Sequence, residues 1–254
     1  MDRETLAADT VKTAAALRSQ LSQMAAASQV LEHSTESEKG RAYLAIMNQS
    51  ICRMLRIVGR MELGHRLTEE ENIRFTPSYM DLAPWLEEMG RRLEGVLSDI
   101  GISFTLHRPD RLLAAVDAEL LQQMLLELIS NLVLVGTDIT LTADQKGGKL
   151  YFTLSDNGPG KAEGRPVLPT VLEEQEEKSS IDLARQIAEL HSGSLVVSPH
   201  GDHLSMAISI PGMEGASGQL ESPRSPWHAG GFDPVLVAMS GLLPSRSFLP
   251  ENLG

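Results

Sequence analysis

The sequence is poor in cysteine, in aromatic residues and in positive charge. Its 254 residues include one cysteine, Cys52, which cannot form a disulfide within the chain. Aromatic residues make up 4% of the chain, and Asp and Glu outnumber Lys and Arg by 34 to 22, for a net charge of −12. Because nucleic-acid binding needs a basic patch, we do not expect such a partner.

Long apolar runs and a signal-peptide core are also missing. No run approaches the roughly 20 residues that span a bilayer, and residues 1–12 are mixed and charged. Cys52 lies in an apolar helical stretch, where we expect a buried and reduced thiol. These absences predict a soluble, cytoplasmic protein without a membrane segment.

Two segments near the N-terminus have the spacing of helices with one apolar seam each. Residues 2–33 contain neither Pro nor Gly, and residues 38–63 end before Gly64, a plausible C-cap. The seam positions are Leu17, Leu21, Met24, Ser28 and Leu31, then Leu44, Met47, Ile51, Met54, Val58 and Met61. Their heptad-like steps predict an antiparallel hairpin. A hairpin alone buries little surface, so residues 1–63 are expected to form a four-helix bundle as a homodimer.

The rest of the chain changes character twice. Residues 64–79 are a polar connector, whereas residues 80–211 combine amphipathic helices with antiparallel-looking strands. That combination predicts a two-layer α/β sandwich, so the chain as a whole is expected to be α+β. Residues 212–254 are a linker and a short amphipathic segment, in which Asp233 and Pro234 are placed to start a helix. We expect this segment to dock on the α/β domain of its own chain or, alternatively, in a groove of a partner.

Two polar residues share one face of an otherwise apolar helix. Glu127 and Asn131 are four residues apart in the stretch LLELISNLV, so they lie on the same side of the helix. Either they form a site or they mark the edge of an amphipathic helix. As a site, Asn131 offers an oxygen to Mg²⁺, and Glu127 is placed to act as a general base on a hydroxyl or a water.

A second polar motif follows a predicted strand. Asp156, Gly158 and Gly160 belong to the sequence LSDNGPG. Glycines let the backbone approach a ligand closely, and a carboxylate here can accept a hydrogen bond from an exocyclic amine. The alternative is a simple turn, because Asp-Asn-Gly is a common turn sequence.

The order of these motifs resembles the ATP-binding domain shared by sensor histidine kinases, gyrase, Hsp90 chaperones and MutL. Asn131 matches the asparagine of that family's N box, and Asp156 with its two glycines matches the DxGxG motif. The stretches from Val116 and from Asp182 and the N-terminal hairpin resemble histidine kinases in particular, so the likeness covers about residues 10–211. The resemblance implies that Asp156 binds adenine, that Asn131 binds Mg²⁺, and that ATP and Mg²⁺ are cofactors.

The sequence departs from the histidine kinase pattern at the phosphoacceptor. Ala15 stands where the family has its histidine, and alanine cannot accept a phosphoryl group. His33 is close in sequence, but it falls at the predicted hairpin turn, where a surface histidine is the simpler interpretation. His191 matches a family position that is usually structural, and we predict no catalytic role for it.

The second departure is in the ATP lid. The family's GxGLGL motif corresponds here to residues 176–181, EEKSSI, which contain no glycine. The family's glycines let backbone amides hold the triphosphate at a helix N-terminus. We expect Ser179 and Ser180 to cap that helix after a loop at residues 157–179, with Ser180 touching the nucleotide. The neighbouring glutamates are expected to repel phosphates unless Mg²⁺ intervenes.

Three functions remain open at this point. In the first, a two-component-type protein binds ATP and Mg²⁺, lacks the phosphoacceptor and regulates a response-regulator or kinase partner by contact. In the second, it is an active kinase with another acceptor, or an ATPase that uses Glu127. In the third, it is a phosphotransferase-like scaffold that does not bind nucleotide. Ala15 weighs against autophosphorylation, and the retained Asn131 and Asp156 weigh against the loss of nucleotide binding.

Overall fold

The protein consists of two compact units, Met1–Arg74 with Trp227–Gly254, and Phe75–Pro226. The structure is a computed structural model, and it describes residues 17–19, 21, 22, 24, 28, 31, 37–68, 75–156, 170–200, 203–212 and 232–253. The predictions for Ala15, His33, Gly158 and Gly160 lie outside the described residues. The boundary between the units falls after Arg74, within the connector predicted at residues 64–79.

The first unit is built on the long helix α1 (Glu38–Thr68). The described residues between 17 and 31 are helical too. Ser28 donates a hydrogen bond of 2.7 Å to Asn48 near the start of α1, and Arg18 forms an ion pair with Glu62 near its end. The two helical stretches therefore run in opposite directions, as the sequence predicts.

Helix α1 extends further than predicted. It continues to Thr68, so the prediction of a C-cap at Gly64 is wrong. A Cβ atom at position 64 would meet nothing within 4 Å, so neither packing nor a helix end requires a glycine there. Cys52 is fully buried on this helix and free, as predicted.

The second unit is a two-layer α/β sandwich. Its helices are α2 (Leu82–Ser98), α3 (Ala118–Val135) and α4 (Thr170–Leu190). Its strands are β1 (Ser78–Asp81), β2 (Ser103–His107), β3 (Leu113–Val116), β4 (Asp138–Lys146), β5 (Lys149–Asp156), β6 (Ser194–His200) and β7 (His203–Pro211). The main sheet has five strands in the order β2-β4-β5-β7-β6, and β1 pairs with β3 in a separate two-stranded sheet. The predicted α+β architecture is confirmed.

The main sheet is mixed rather than antiparallel throughout. β2 lies parallel to β4, while the pairs β4–β5, β5–β7 and β6–β7 are antiparallel. The expectation of antiparallel strands is therefore wrong for one pair. Parallel neighbours need a long crossover connection, and here the chain passes through β3 and α3 between β2 and β4. The β4–β5 turn, predicted from its glycines, uses positive φ angles of 59° at Gly147 and 71° at Gly148.

Helix α3 forms the centre of the sandwich core. The Asp117 carboxylate caps its first turn by accepting a hydrogen bond of 3.2 Å from the Leu120 N–H. By length and composition α3 is apolar enough to span a bilayer, but 72% of it is buried within the protein. That burial is what a core helix shows, so the apolar sequence of α3 is explained by packing.

The C-terminal segment packs on α1. It begins with helix α5 (Pro234–Met239), whose first turn is capped by the Asp233 carboxylate at 2.8 Å from the Val235 N–H, as predicted. Two 3₁₀ turns follow, Ser245–Phe248 and Pro250–Asn252. Its buried apolar side chains include Phe232, Val235, Leu236, Met239, Leu243 and Phe248. The prediction that this segment docks on the α/β domain is wrong, because the segment belongs to the same compact unit as α1.

Polar side chains of α1 fix this segment in place. Gln49 donates to the backbone oxygens of Ser240 at 3.3 Å and Leu243 at 2.7 Å, and the Arg53 Nε–H donates to the Ser240 oxygen at 3.1 Å. These carbonyls follow the end of α5, where backbone oxygens have no partner within the helix. The amide of Asn48 likewise donates to the Phe248 oxygen at 3.2 Å. These hydrogen bonds hold the segment to α1 from Ser240 to Phe248.

Candidate nucleotide site

Four predicted site residues lie on three elements of the second unit. Glu127 and Asn131 stand one turn apart on α3, Asp156 ends β5, and Ser180 lies on α4. Their relative exposures are 4%, 4%, 3% and 1%, respectively. Burying polar and charged groups in an apolar core is costly unless they are hydrogen-bonded. The four positions therefore need a specific explanation rather than that of an amphipathic helix edge.

The Asp156 carboxylate rests against the backbone of Gly136. An added Cβ at position 136 would fall 1.8 Å from Oδ1 and 2.4 Å from Oδ2 of Asp156. Gly136 ends α3 in an extended conformation with φ −130°, which any residue can adopt, so the glycine is needed for space. Sequence reasoning missed Gly136, although its place five residues after Asn131 could have drawn attention to it.

His203 is a second residue that sequence reasoning missed. Its Nδ1 lies 3.6 Å from Oδ2 of Asp156, and its side chain is 48% exposed. This distance is too long for a hydrogen bond, so the contact is electrostatic when the ring is protonated. His203 begins β7, which pairs with β5 through Ser155 and Ser205. Only this strand pairing, which the sequence does not reveal, brings position 203 next to position 156.

The side-chain amide of Asn131 has a buried donor. Its Nδ2 has no hydrogen-bond partner among the described residues. A buried polar group left unsatisfied costs about 1–3 kcal/mol. Native proteins rarely leave such a group without a partner, so a bound ligand or water is expected to meet it.

Asn131 can contribute to a Mg²⁺ site only as one ligand among several. Within the part of the chain that the structure describes, no three His, Cys, Asp or Glu side chains come together as a metal site. Mg²⁺ bound near nucleotides typically takes one or two protein ligands and completes its shell with phosphate oxygens and water. The residues present fit that arrangement, with the side-chain oxygen of Asn131 as the protein ligand.

Ser180 bonds to Glu127. The Ser180 hydroxyl donates a hydrogen bond of 3.0 Å to Oε2 of the Glu127 carboxylate, and both side chains are buried. The prediction that Ser179 and Ser180 cap a helix is wrong, because α4 begins at Thr170, ten residues before Ser180. The prediction of a loop is wrong for residues 170–179 for the same reason, and the rest of that predicted loop, residues 157–169, lies outside the described residues.

His191 joins α4 to the start of α3. Its Nε2 accepts a hydrogen bond of 3.2 Å from the Asp117 N–H, and its Nδ1 lies 2.8 Å from the Ile187 oxygen. The ring is therefore the neutral tautomer with the proton on Nδ1. Phe75 packs edge-on against it with ring centroids 4.9 Å apart. This geometry agrees with the structural role that we predict for His191.

Comparison with known proteins gave matches to solved structures alone. Neither protein-family models nor curated proteins match the sequence. Full-length ShkA, in complex with AMPPNP, matches with a TM-score of 0.62 and 19% identity, over 82% of this chain and 46% of ShkA. AdeS, a histidine kinase of Acinetobacter baumannii, matches with a TM-score of 0.52 and 15% identity, over 80% of this chain and 97% of AdeS. The chain has the fold of the sensor histidine kinases.

The histidine kinase fold confirms the resemblance read from the motifs. It accounts for a helical N-terminal part followed by an α/β domain with a mixed sheet. The chain spans less than half of ShkA, and the nucleotide analogue belongs to ShkA. At these identities the likeness establishes the fold, and the chemistry has to be argued from the residues of this chain.

Proposed function

We propose that this chain is a histidine-kinase-like signalling protein that binds an adenine nucleotide and regulates a partner by contact. ATP with Mg²⁺ is the expected ligand. The observation that carries the proposal is the position of Asp156, a buried carboxylate held at a strand end against Gly136. A carboxylate in such a place is suited to accept a hydrogen bond from the exocyclic amine of adenine, and the donor of Asn131 supports a ligand nearby.

The proposal excludes the usual phosphoacceptor. Ala15 occupies the position that the resemblance assigns to the histidine, and its methyl group has no nucleophilic atom. Regulation by contact is therefore proposed in place of phosphoryl transfer, with a response regulator or a kinase as the kind of partner. In the alternative of an ATPase that uses Glu127, this carboxylate would act as the base while it accepts a hydrogen bond from Ser180.

Homodimerisation is part of the proposal. The predicted seam on the first helical stretch divides into two sets, because Leu21 and Ser28 are buried whereas Leu17, Met24 and Leu31 are exposed. The exposed set repeats every seven residues, and α1 carries exposed apolar residues as well, namely Tyr43, Ile46, Met54, Ile57 and Met61. Contiguous exposed apolar surface marks an interaction site. A second copy of the hairpin would cover both stripes in a four-helix bundle.

Calorimetry on the full-length protein tests the nucleotide-binding part of the proposal. We expect wild type to bind ATP in the presence of Mg²⁺ and Asp156→Ala to bind at least tenfold more weakly. A parallel assay with radiolabelled ATP is expected to show no label on the protein. Binding that is equal in both proteins, or stable labelling of wild type, would contradict the proposal.

A further inference from the structure

We propose that the site recognises the adenine nucleoside and gains no affinity from the β- and γ-phosphates. Adenosine, AMP, ADP and ATP would then bind with similar strength. The inference rests on the proposed function, because it names the part of the ligand that the same site holds. Four observations on and around α4 carry it.

The first observation is the position at which α4 begins. Only the first four N–H groups of an α-helix lack a partner within the helix, and in α4 these belong to residues 170–173. The amides from residue 174 to Ser180 are therefore used by the helix itself. With a rise of 1.5 Å per residue, the free amides lie about 10–15 Å along the axis from Ser180. A phosphate beside Ser180 consequently meets none of the backbone donors that hold anions at a helix start.

The second observation is the hydrogen bond between Ser180 and Glu127. The Ser180 hydroxyl is the side-chain donor that we expected to contact phosphate, but it donates to the Glu127 carboxylate at 3.0 Å. That carboxylate lies on α3 one turn from Asn131, where the resemblance to histidine kinases places the phosphate groups and their metal ion. It therefore removes one donor from the phosphate side of the site and adds a group that repels phosphate oxygens.

The third observation is the charge of the adjoining turns of α4. Residues 170–180 contain four glutamates and one lysine, so this part of the helix carries an excess of negative charge. The nearest arginine along the helix, Arg185, pairs with Asp182 at 2.7 Å. An excess of negative charge beside a binding site lowers the local concentration of anions. The negative charge of this helix thus disfavours phosphate binding, in addition to the lack of free backbone amides near Ser180.

The fourth observation is the position of Asp156, the residue that we assign to the base side of the site. Asp156 is buried against Gly136, where no side chain fits. Base recognition and phosphate recognition are thus separated in this chain. A site of this kind responds to adenine nucleosides as a class, and it does not position a γ-phosphate for transfer.

The test is a calorimetric series on the full-length protein with adenosine, AMP, ADP and ATP, each in the presence of Mg²⁺. We expect the four dissociation constants to agree within about threefold, since the nucleoside supplies the binding energy. Asp156→Ala is expected to weaken all four ligands in parallel, by at least tenfold. Thermal unfolding of the variant without ligand serves as the control for folding.

The outcomes separate this inference from the proposed function. ATP binding more than tenfold tighter than adenosine would overturn the inference and leave the proposed function standing, because the phosphates would then supply affinity. The inference would also be overturned if ATP bound Asp156→Ala as well as wild type while adenosine did not. Absence of binding for all four ligands at millimolar concentration would overturn both.

Discussion

The Asp156 carboxylate occupies the space in which a side chain at position 136 would lie, with Oδ1 1.8 Å from the place of a Cβ on Gly136. A methyl group on residue 136 must displace the carboxylate side chain. The backbones of both residues are fixed, because β5 holds Asp156 by strand pairing and Gly136 ends α3. We therefore predict that Gly136→Ala lowers adenosine affinity at least tenfold, as measured by calorimetry.

The matched control for this prediction is Gly95→Ala on α2. A Cβ at position 95 meets nothing within 4 Å, and alanine is favoured over glycine in a helix by roughly 1 kcal/mol. Gly95→Ala is therefore expected to keep full affinity. If Gly136→Ala also bound adenosine like wild type, the carboxylate would not be the group that holds the base.

Some site residues could be predicted from sequence motifs, whereas others were found only from contacts in the structure, and the difference has a physical reason. Asn131 and Asp156 could be predicted because their neighbours in sequence form a recognisable pattern. Gly136 and His203 could not, because their role follows from strand pairing and from the direction of the Asp156 side chain. The docking target of the C-terminal segment was missed for the same reason, since an amphipathic pattern indicates a buried face without naming what covers it.

The start of α4 could have been predicted better. Residues 170–179 contain neither Gly nor Pro, they follow Pro169, and they include four Glu with one Leu, one Gln and one Lys. These residue types favour helix, and a proline commonly precedes or begins one. The preceding Gly- and Pro-containing stretch and the position of the family's lid motif led to the prediction of a loop. The error matters because the same residues decide whether phosphate can be held.

His191 is predicted to stabilise the fold without touching the ligand. His191→Ala leaves the buried Asp117 N–H without its partner, which costs about 1–3 kcal/mol of unfolding free energy. Urea denaturation followed by circular dichroism measures this loss. His107→Ala, on an exposed position of β2, is the control and is expected to stay within about 0.5 kcal/mol of wild type. Unchanged stability combined with lost adenosine binding would contradict the structural role.

The exposed apolar residues of the two N-terminal helical stretches are predicted to bind a second copy of the chain. Ile57 on α1 is 56% exposed, and a glutamate there would place a charge in the centre of the proposed bundle. Ile57→Glu is expected to convert the dimer into a monomer at micromolar concentration, as measured by light scattering. Val196→Glu, at an equally exposed apolar position of the second unit, is expected to remain dimeric. A wild-type protein that is already monomeric would show that these exposed residues do not form a dimer interface.

The Cys52 thiol reports on whether the C-terminal segment covers α1. Burial, with a smaller contribution from Asp233, raises the pKa of Cys52 from 9.0 to about 12, so the thiol is neutral and unreactive at pH 8. Gln49→Ala removes two hydrogen bonds to the segment, worth roughly 0.5–1.5 kcal/mol each. We predict about tenfold faster labelling of Cys52 by a thiol reagent at pH 8, through easier local opening.

The control for Cys52 labelling is Ser50→Ala, because Ser50 is exposed and bonds within α1 to the Ile46 oxygen. Its labelling rate is expected to match wild type. Because the pKa of Cys52 in the folded state lies above 9.0, the stability that the neutral thiol contributes is present below pH 9 and is lost as the pH rises towards 12. Rapid labelling of wild type at pH 8 would show that the segment does not protect α1 in solution.

The most direct test of the central claim, that Asp156 recognises the amine of adenine, compares adenosine with purine riboside by calorimetry. Purine riboside has the same ring and sugar but lacks the exocyclic amine. A hydrogen bond to a charged group contributes about 1.5–3 kcal/mol, so we predict that wild type binds adenosine at least tenfold more tightly, whereas Asp156→Ala binds both ligands equally. Equal affinity of wild type for the two ligands would contradict the claim.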